Sequence, residues 1–242
     1  PGHLMAYNLN TNEILKIAGH RLTLLNEWLN TGMVNDFVQT LNDAGFINVY
    51  SNIDKSGLEE LSALCRETKA PPRSMSRPEI MNIELTTRCP LRCPQCYCDL
   101  HRGKDINKET ALKYIDQAID LKIPFINLSG GETLVYPHLT ELLERISQGG
   151  LKSAIAISGW GFDRAKLEEL KNAGVSEIYV SINGSTREVN ELSRDGYEMA
   201  VCALELLQAD GQVVYYINWV ARNDNVRDFP NIITLAQQFA VQ

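Results

Sequence analysis

The sequence predicts an α/β fold: a parallel sheet of about five strand–helix units curling toward a TIM-like barrel, preceded by a small α+β module. Three observations lead there. From residue 79 to 242, short apolar runs alternate with amphipathic stretches. A Pro- and Ser-containing segment, 70–78, breaks the periodicity on either side of it and reads as a linker. The length of 242 residues suits one large domain, or a medium domain with a small companion.

The elements follow in order. Tyr7/Leu9 and Leu15/Ile17 alternate on either side of Asn10-Thr11-Asn12, which predicts a hairpin. Leu24, Trp28 and Leu29 predict a helix ending near Gly32, and Val34, Phe37, Val38 and Leu41 keep helical spacing as far as Gly45. Residues 46–50 read as a short strand, and Leu58, Leu61, Leu64 and Cys65 as one face of a further helix. This order is compatible with a winged-helix-like module over 5–70. Pro1-Gly2-His3-Leu4 resembles a cloning scar ahead of Met5 and is set outside the fold. Past the linker, strands are expected at 81–85, 125–128, 153–157, 177–182 and 213–220. Helices are expected at about 108–121, 138–147, 164–173, 197–209 and 231–240. Gly149 and Gly174 stand where helices stop, and Asp163 where one starts. In such a fold the loops after the strands form the active face.

Composition narrows the function. Hydrophobic residues at 44% and charged residues at 22% exclude a disordered or collagen-like chain. A net charge of -7 argues against a nucleic-acid-coating surface. Without a bilayer-length apolar stretch or a signal peptide, the chain reads as soluble and cytoplasmic, with neither membrane nor nucleic acid as partner. Of six cysteines, Cys89, Cys93, Cys96 and Cys98 fall within ten residues, while Cys65 and Cys202 stand alone on helical apolar faces and read as core. Disulfide scaffolds spread their cysteines, whereas a tight cluster in a reduced compartment suits a metal or Fe–S site. Cys89, Cys93 and Cys96 form C-x3-C-x2-C directly after the first strand of the sheet. Three thiolates can hold three irons of a four-iron cube and leave one iron open. No second C-x2-C or Cys/His pair stands at zinc-finger distance. His20, His101 and His138 show no ligand spacing.

The loop Thr87-Arg88-Cys89-Pro90-Leu91-Arg92-Cys93-Pro94-Gln95-Cys96 resembles the signature of the radical S-adenosylmethionine (radical SAM) superfamily, most closely its SPASM/twitch-type peptide maturases. The resemblance covers about 79–242 and implies a (β/α)6 barrel, here partial. It also implies a [4Fe–4S] cluster whose open iron binds S-adenosylmethionine, and reductive cleavage to a 5′-deoxyadenosyl radical that abstracts hydrogen from a substrate. Relatives place an aromatic residue before the last cysteine, against the adenine; here Gln95 stands there and Tyr97 lies on the other side of Cys96. Cys98 is an extra thiol, either an auxiliary ligand or a half-buried bystander. Gly130, Gly131 and Glu132 match the family's GGE element, whose backbone and glutamate bind the SAM amino group. Ser158 stands where relatives carry Thr-Asn-Gly, as a SAM contact or as a plain turn. Ser181 and Asn183 lie in Val-Ser-Ile-Asn-Gly, similar to the family's V-S-I-D-G. Arg194 resembles the arginine directed at the SAM carboxylate, against the plainer reading of a surface arginine near a helix start. Val220 could flank the adenine.

The resemblance implies further partners. A flavodoxin or ferredoxin would supply the electron, and a truncated C-terminus, or a partner protein, would account for a sixth unit. A winged-helix-like module resembles the leader-recognition elements of maturases acting on ribosomally made peptides, which bind by strand addition. The expected function is therefore modification of a precursor peptide by cross-linking, epimerisation or backbone rearrangement. The alternatives are a radical SAM enzyme of cofactor biosynthesis acting on a small molecule, and a DNA-binding regulator with an Fe–S or zinc sensor loop.

Overall fold

The computed structural model describes residues 3–7, 14–47, 49, 77–98 and 103–241. The chain divides into two compact units, Pro1–Ser76 and Arg77–Gln242, taken here in turn. In the first, β1 (His3–Tyr7) pairs antiparallel with β2 (Ile14–Ala18), in the register His3↔Ala18 through Tyr7↔Ile14. His3 and Leu4, set aside in the sequence as a scar, are thus strand residues. Helix α1 (His20–Thr31) follows and ends at Gly32, whose φ of 74° lets its N–H turn back to Trp28 O. Helix α2 (Asp36–Asp43) starts at Asn35, whose side chain accepts from Val38 N. Ile17, Leu25, Trp28, Val38 and Leu41 make a small core. Two expectations fail. Val34 lies before the α2 cap and is exposed. Phe46 and Ile47 form no strand, because the Phe46 N–H closes the end of α2 on Leu41 O. The hairpin turn and the helix expected over Leu58 to Cys65 lie outside the described residues.

In the second unit, β3 (Ile80–Thr86), β4 (Phe125–Gly130), β5 (Lys152–Ile157), β6 (Glu177–Ser181) and β7 (Val214–Asn218) form one parallel sheet in sequential order. The intervening helices are α3 (Lys108–Asp120), α4 (Leu139–Gln148), α5 (Arg164–Asn172), the single turn α6 (Arg187–Asn190) and α7 (Tyr197–Asp210), with α8 (Phe229–Gln238) last. Five strand–helix units in sequential parallel order are a partial TIM-like barrel, as the periodicity predicted.

One face of the sheet carries the core. Ile83, Leu85, Ile126, Leu128, Ile155, Ile157, Ile178 and Val180 are buried, together with Ile115 of α3, Leu142, Leu143 and Ile146 of α4, Leu167 and Leu170 of α5, and Leu204 and Leu207 of α7. Each such side chain contributes about 1.5–3 kcal/mol by leaving water. The alternate residues of β3, Asn82 and Glu84, are exposed, so this strand alternates rather than running continuously apolar. Cys202 is exposed, one residue off the buried Ala200, Ala203, Leu204 and Leu207 stripe of α7, so it is not the core residue that the sequence suggested. The strand expected at 213–220 stops at Asn218. Trp219 leaves it to stack on Phe229, and the Val220 N–H is captured by Asn183 Oδ1. No helix among the described residues is long and apolar enough to cross a membrane.

Candidate cluster and nucleotide site

The candidate residues gather where the strands end. The cysteine loop leaves β3 at Thr86 and is tied at its base by the returning chain. Thr87 N donates to Lys104 O, Lys104 N to Thr87 Oγ1, and Ile106 N to Leu85 O. Thr86 Oγ1 donates to Asp105 Oδ1 at 2.6 Å, and Arg88 clasps both oxygens of Asp105 at 2.8 and 2.7 Å. Arg88 also donates to Val135 O, pinning the loop to the segment after β4. A bidentate fork fixes orientation as well as distance. These partners are 17 and 47 residues away in the chain, and nothing in the local sequence announced them.

Within the loop Cys89 and Cys93 are half-buried and Cys96 is exposed. The three thiols and Glu132 are close enough to influence one another electrostatically: burial pushes the Cys89 thiol up, Leu91 N–H pulls it down, and Glu132, Cys93 and Cys96 push it up further. Arg92 Nη1 donates to Cys89 O and Leu91 O, and Cys96 N to Cys93 O, which curls the loop. Among the described residues no three His, Cys, Asp or Glu side chains converge on one point. A cubane takes one thiolate per iron and needs spread sulfurs rather than a common focus. The Cys98 Sγ donates to Gly130 O at 3.4 Å, and its thiol is pushed up to about 11 by burial first and by Cys96 second. Tyr97 is 75% exposed, with its hydroxyl near Glu84 of β3 and Cys98.

The paired glycines also have a packing task. A Cβ on Gly130 would stand 2.3 Å from Thr86 O, and one on Gly131 2.2 Å from Arg88 O. The Gly131 N–H donates to Thr86 O at 2.6 Å and the Glu132 N–H to Arg88 O at 2.9 Å. These backbone donors serve the cysteine loop, so the glycines let the end of β4 lie directly against it. Glu132 then turns inward and is 1% exposed. Its Oε1 accepts from Leu134 N at 3.2 Å; its Oε2 accepts from Ser158 N at 2.9 Å and Ser158 Oγ at 2.5 Å. A carboxylate has about four acceptor sites, so three internal donors leave room for one more. Ser158 is therefore placed beside Glu132, at the end of β5.

Burial pushes the Glu132 carboxyl above the ordinary carboxylate range, against the lowering influence of the Ser158 hydroxyl and amide, Leu134 N–H and the Arg194 charge. The folded protein then binds more protons than the unfolded chain between the ordinary and the raised value. Stability should fall as pH rises across that interval and level off above it. Glu132→Gln should remove this contribution. Urea midpoints of both proteins as a function of pH measure it, and a pH-independent difference between them would refute the assignment.

Asn183 joins two of these loops. It is fully buried, its Nδ2 donating to Ser193 Oγ at 2.9 Å and its Oδ1 accepting from Val220 N at 3.2 Å, while its carbonyl takes Trp219 Nε1 and Asn225 Nδ2. Both ends of its amide are used inside the protein, so it braces the loops after β6 and β7. An Asn can donate and accept at once, which this junction requires. Ser181 ends β6 and is 7% exposed, opposite Asn218 of β7. The Val220 side chain is 43% exposed. Arg194 is half-buried, and its Nε is a buried donor with no partner among the described residues.

These groups fit a sulfur-bound cluster with a zwitterionic ligand. Three thiols share one loop, a buried carboxylate has one acceptor site left, and a guanidinium nitrogen lacks an acceptor. Parallel β/α units carry these groups at their carboxyl ends, where folds of this class place ligands. The sequence profile of the radical SAM superfamily matches residues 83–236, and the chain belongs to that superfamily, whose cofactors are a [4Fe–4S] cluster and S-adenosylmethionine. It is 30% identical over 174 residues to PqqA peptide cyclase of Ruegeria pomeroyi, covering 69% of this chain and 46% of that protein. To the PqqA peptide cyclase of Gluconobacter oxydans it is 31% identical over 169 residues, covering 67% and 47%. The chain thus spans about half the length of these relatives. In fold it is similar to Streptococcus suis SuiB, solved bound to S-adenosylmethionine, with a TM-score of 0.67 at 15% identity over 100% of this chain and 60% of that one. SuiB has also been solved bound to its precursor peptide SuiA, with a TM-score of 0.64 at 14% identity over 97% and 57%.

Proposed function

We propose that this protein modifies a ribosomally made precursor peptide by hydrogen abstraction. The observation that carries this reading is the three-thiol loop clamped against the Gly130–Glu132 turn at the strand ends. The relationship to the PqqA peptide cyclases, and a fold shared with a protein crystallised with its precursor peptide, support the substrate class. Cys89, Cys93 and Cys96 would hold the cluster. Glu132 would accept from the SAM ammonium, and Arg194 would donate to the carboxylate, with Ser158 orienting Glu132. Bound together, the cluster and SAM supply the 5′-deoxyadenosyl radical, with the electron coming from a flavodoxin- or ferredoxin-type donor. Residues 5–70 would recognise the peptide leader, the β1–β2 hairpin offering an edge for strand addition.

The test is anaerobic reconstitution with iron and sulfide, reduction, and chromatography of the products formed from SAM. Candidate precursor peptides, sought among short reading frames beside the gene, are then added and their mass and hydrogen content followed. We expect 5′-deoxyadenosine, and a changed peptide whose modification depends on SAM. A protein that holds a reduced cluster and SAM yet releases no 5′-deoxyadenosine would overturn the radical assignment; turnover of SAM with an unchanged peptide would overturn the substrate.

A further inference from the structure

The turn that carries Arg194 also holds the backbone of the cysteine loop. Arg92 N donates to Asp195 Oδ2 at 2.9 Å, and Gln95 N to Ser193 O at 3.3 Å. Both amides lie between Cys89 and Cys96. On its other side the turn is gripped by Asn190, which is 1% exposed. Asn190 Nδ2 donates to Arg194 O at 2.7 Å, Arg194 N donates to Asn190 O at 2.8 Å, and Asn190 Oδ1 accepts from Asn183 N at 2.7 Å. Gly184 packs so tightly here that a Cβ would stand 2.3 Å from Asn190 N, so α6 is held against the end of β6. The Arg194 backbone is therefore bonded at both its N–H and its C=O, while its Nε is buried without an acceptor. An unpaired buried donor is costly, and a ligand oxygen at that nitrogen would relieve the cost.

We propose that Asp195 and Asn190 are positioning residues: the 193–195 turn couples the cysteine loop to Arg194, setting the distance between the cluster and the guanidinium that receives the SAM carboxylate. This rests on the assignment of the thiols and Arg194 above. The two residues act on opposite sides of the turn, so their losses separate. Without the Asp195 side chain the cysteine loop loses its tie at Arg92 N; without the Asn190 side chain the turn loses its tie at Arg194 O.

Both halves can be measured on the full chain. In metal-free protein, hydrogen exchange of the Arg92 amide should quicken about tenfold in Asp195→Ala, the loss of one hydrogen bond. Asp195→Asn, which keeps an acceptor oxygen, should restore the wild-type rate. After reconstitution, Asn190→Ala should keep its iron yet bind SAM about tenfold more weakly in equilibrium dialysis. It should also show a smaller SAM-induced change in the electron paramagnetic resonance spectrum of the reduced cluster. Asn190→Asp keeps the acceptor for Asn183 N and removes the donor to Arg194 O, so it should weaken SAM equally even if the alanine variant fails to fold. Unchanged Arg92 exchange in Asp195→Ala would overturn the proposal. So would wild-type SAM affinity in both Asn190 variants while Arg194→Ala loses it. If wild-type protein itself binds neither cluster nor SAM, the functional reading fails instead, and the exchange result in metal-free protein still judges the coupling.

Discussion

Cys93→Ala should abolish both the cluster and SAM cleavage. Cys93 is the middle thiol of the loop, and its carbonyl also accepts from Cys96 N, so the backbone curl survives the substitution while the sulfur is lost. Two remaining thiolates leave a cubane short of a protein ligand. Iron after anaerobic reconstitution should drop from about four per chain to below about one, with the brown absorbance and 5′-deoxyadenosine formation lost together. Cys98→Ala is the contrast. Its thiol keeps its proton and is given to Gly130 O, so the cluster and SAM cleavage should persist. A Cys93→Ala protein that still forms the chromophore and fragments SAM would dismiss the three-thiol assignment, and equal losses in both variants would make Cys98 a ligand.

Gly131→Ala should be a strongly damaging single-methyl change at the site. The added Cβ would sit 2.2 Å from Arg88 O, 2.7 Å from Arg88 C and 3.1 Å from Thr87 C, all backbone atoms that no rotamer can move aside. Relief requires the end of β4 to part from the cysteine loop, breaking the Gly131 N to Thr86 O and Glu132 N to Arg88 O bonds. Overpacking of this kind costs about 1–3 kcal/mol, read as a lowered urea midpoint, and cluster retention should fall with it. Gly161→Ala is a useful comparison: its φ of +67° brings backbone strain, but nothing lies within 4 Å of the new Cβ. It should cost about 1–2 kcal/mol and leave iron content unchanged. If Gly131→Ala holds its cluster as well as Gly161→Ala does, the close approach of the two loops is not what supports the site.

Much of this architecture was legible because it is local. Apolar residues at helical spacing located α3, α4, α5, α7 and α8 but not the single turn α6, and Asp163 marked a helix start because a short acceptor side chain satisfies Lys166 N three residues on. The same locality explains the errors. Cys202 lies in sequence between the buried Ala200 and Ala203 but on the outer side of α7 in space. Residues 46–50 looked strand-like by composition, yet the Phe46 N–H was already needed to close α2. Gly130 and Gly131 were legible as a place of close approach; what approaches them is the chain's own cysteine loop.

By itself the sequence determined the order of the β/α units, the spacing of three thiols on the first of their loops, and membership of a family that uses such loops to hold a cluster. These are properties of short stretches, set by the periods of strand and helix and by the reach of one loop. Only the tertiary structure decided which polar side chains are spent inside the protein and which remain for a ligand. Asn183 is enclosed, Glu132 is held by Ser158 with one acceptor site left, and the turn beside Arg194 reaches across 103 residues to the cysteine loop through Asp195 and Arg92. The physical reason is that a hydrogen bond depends on who is adjacent in space, and at the carboxyl ends of a parallel sheet the neighbours come from crossovers that no local pattern encodes.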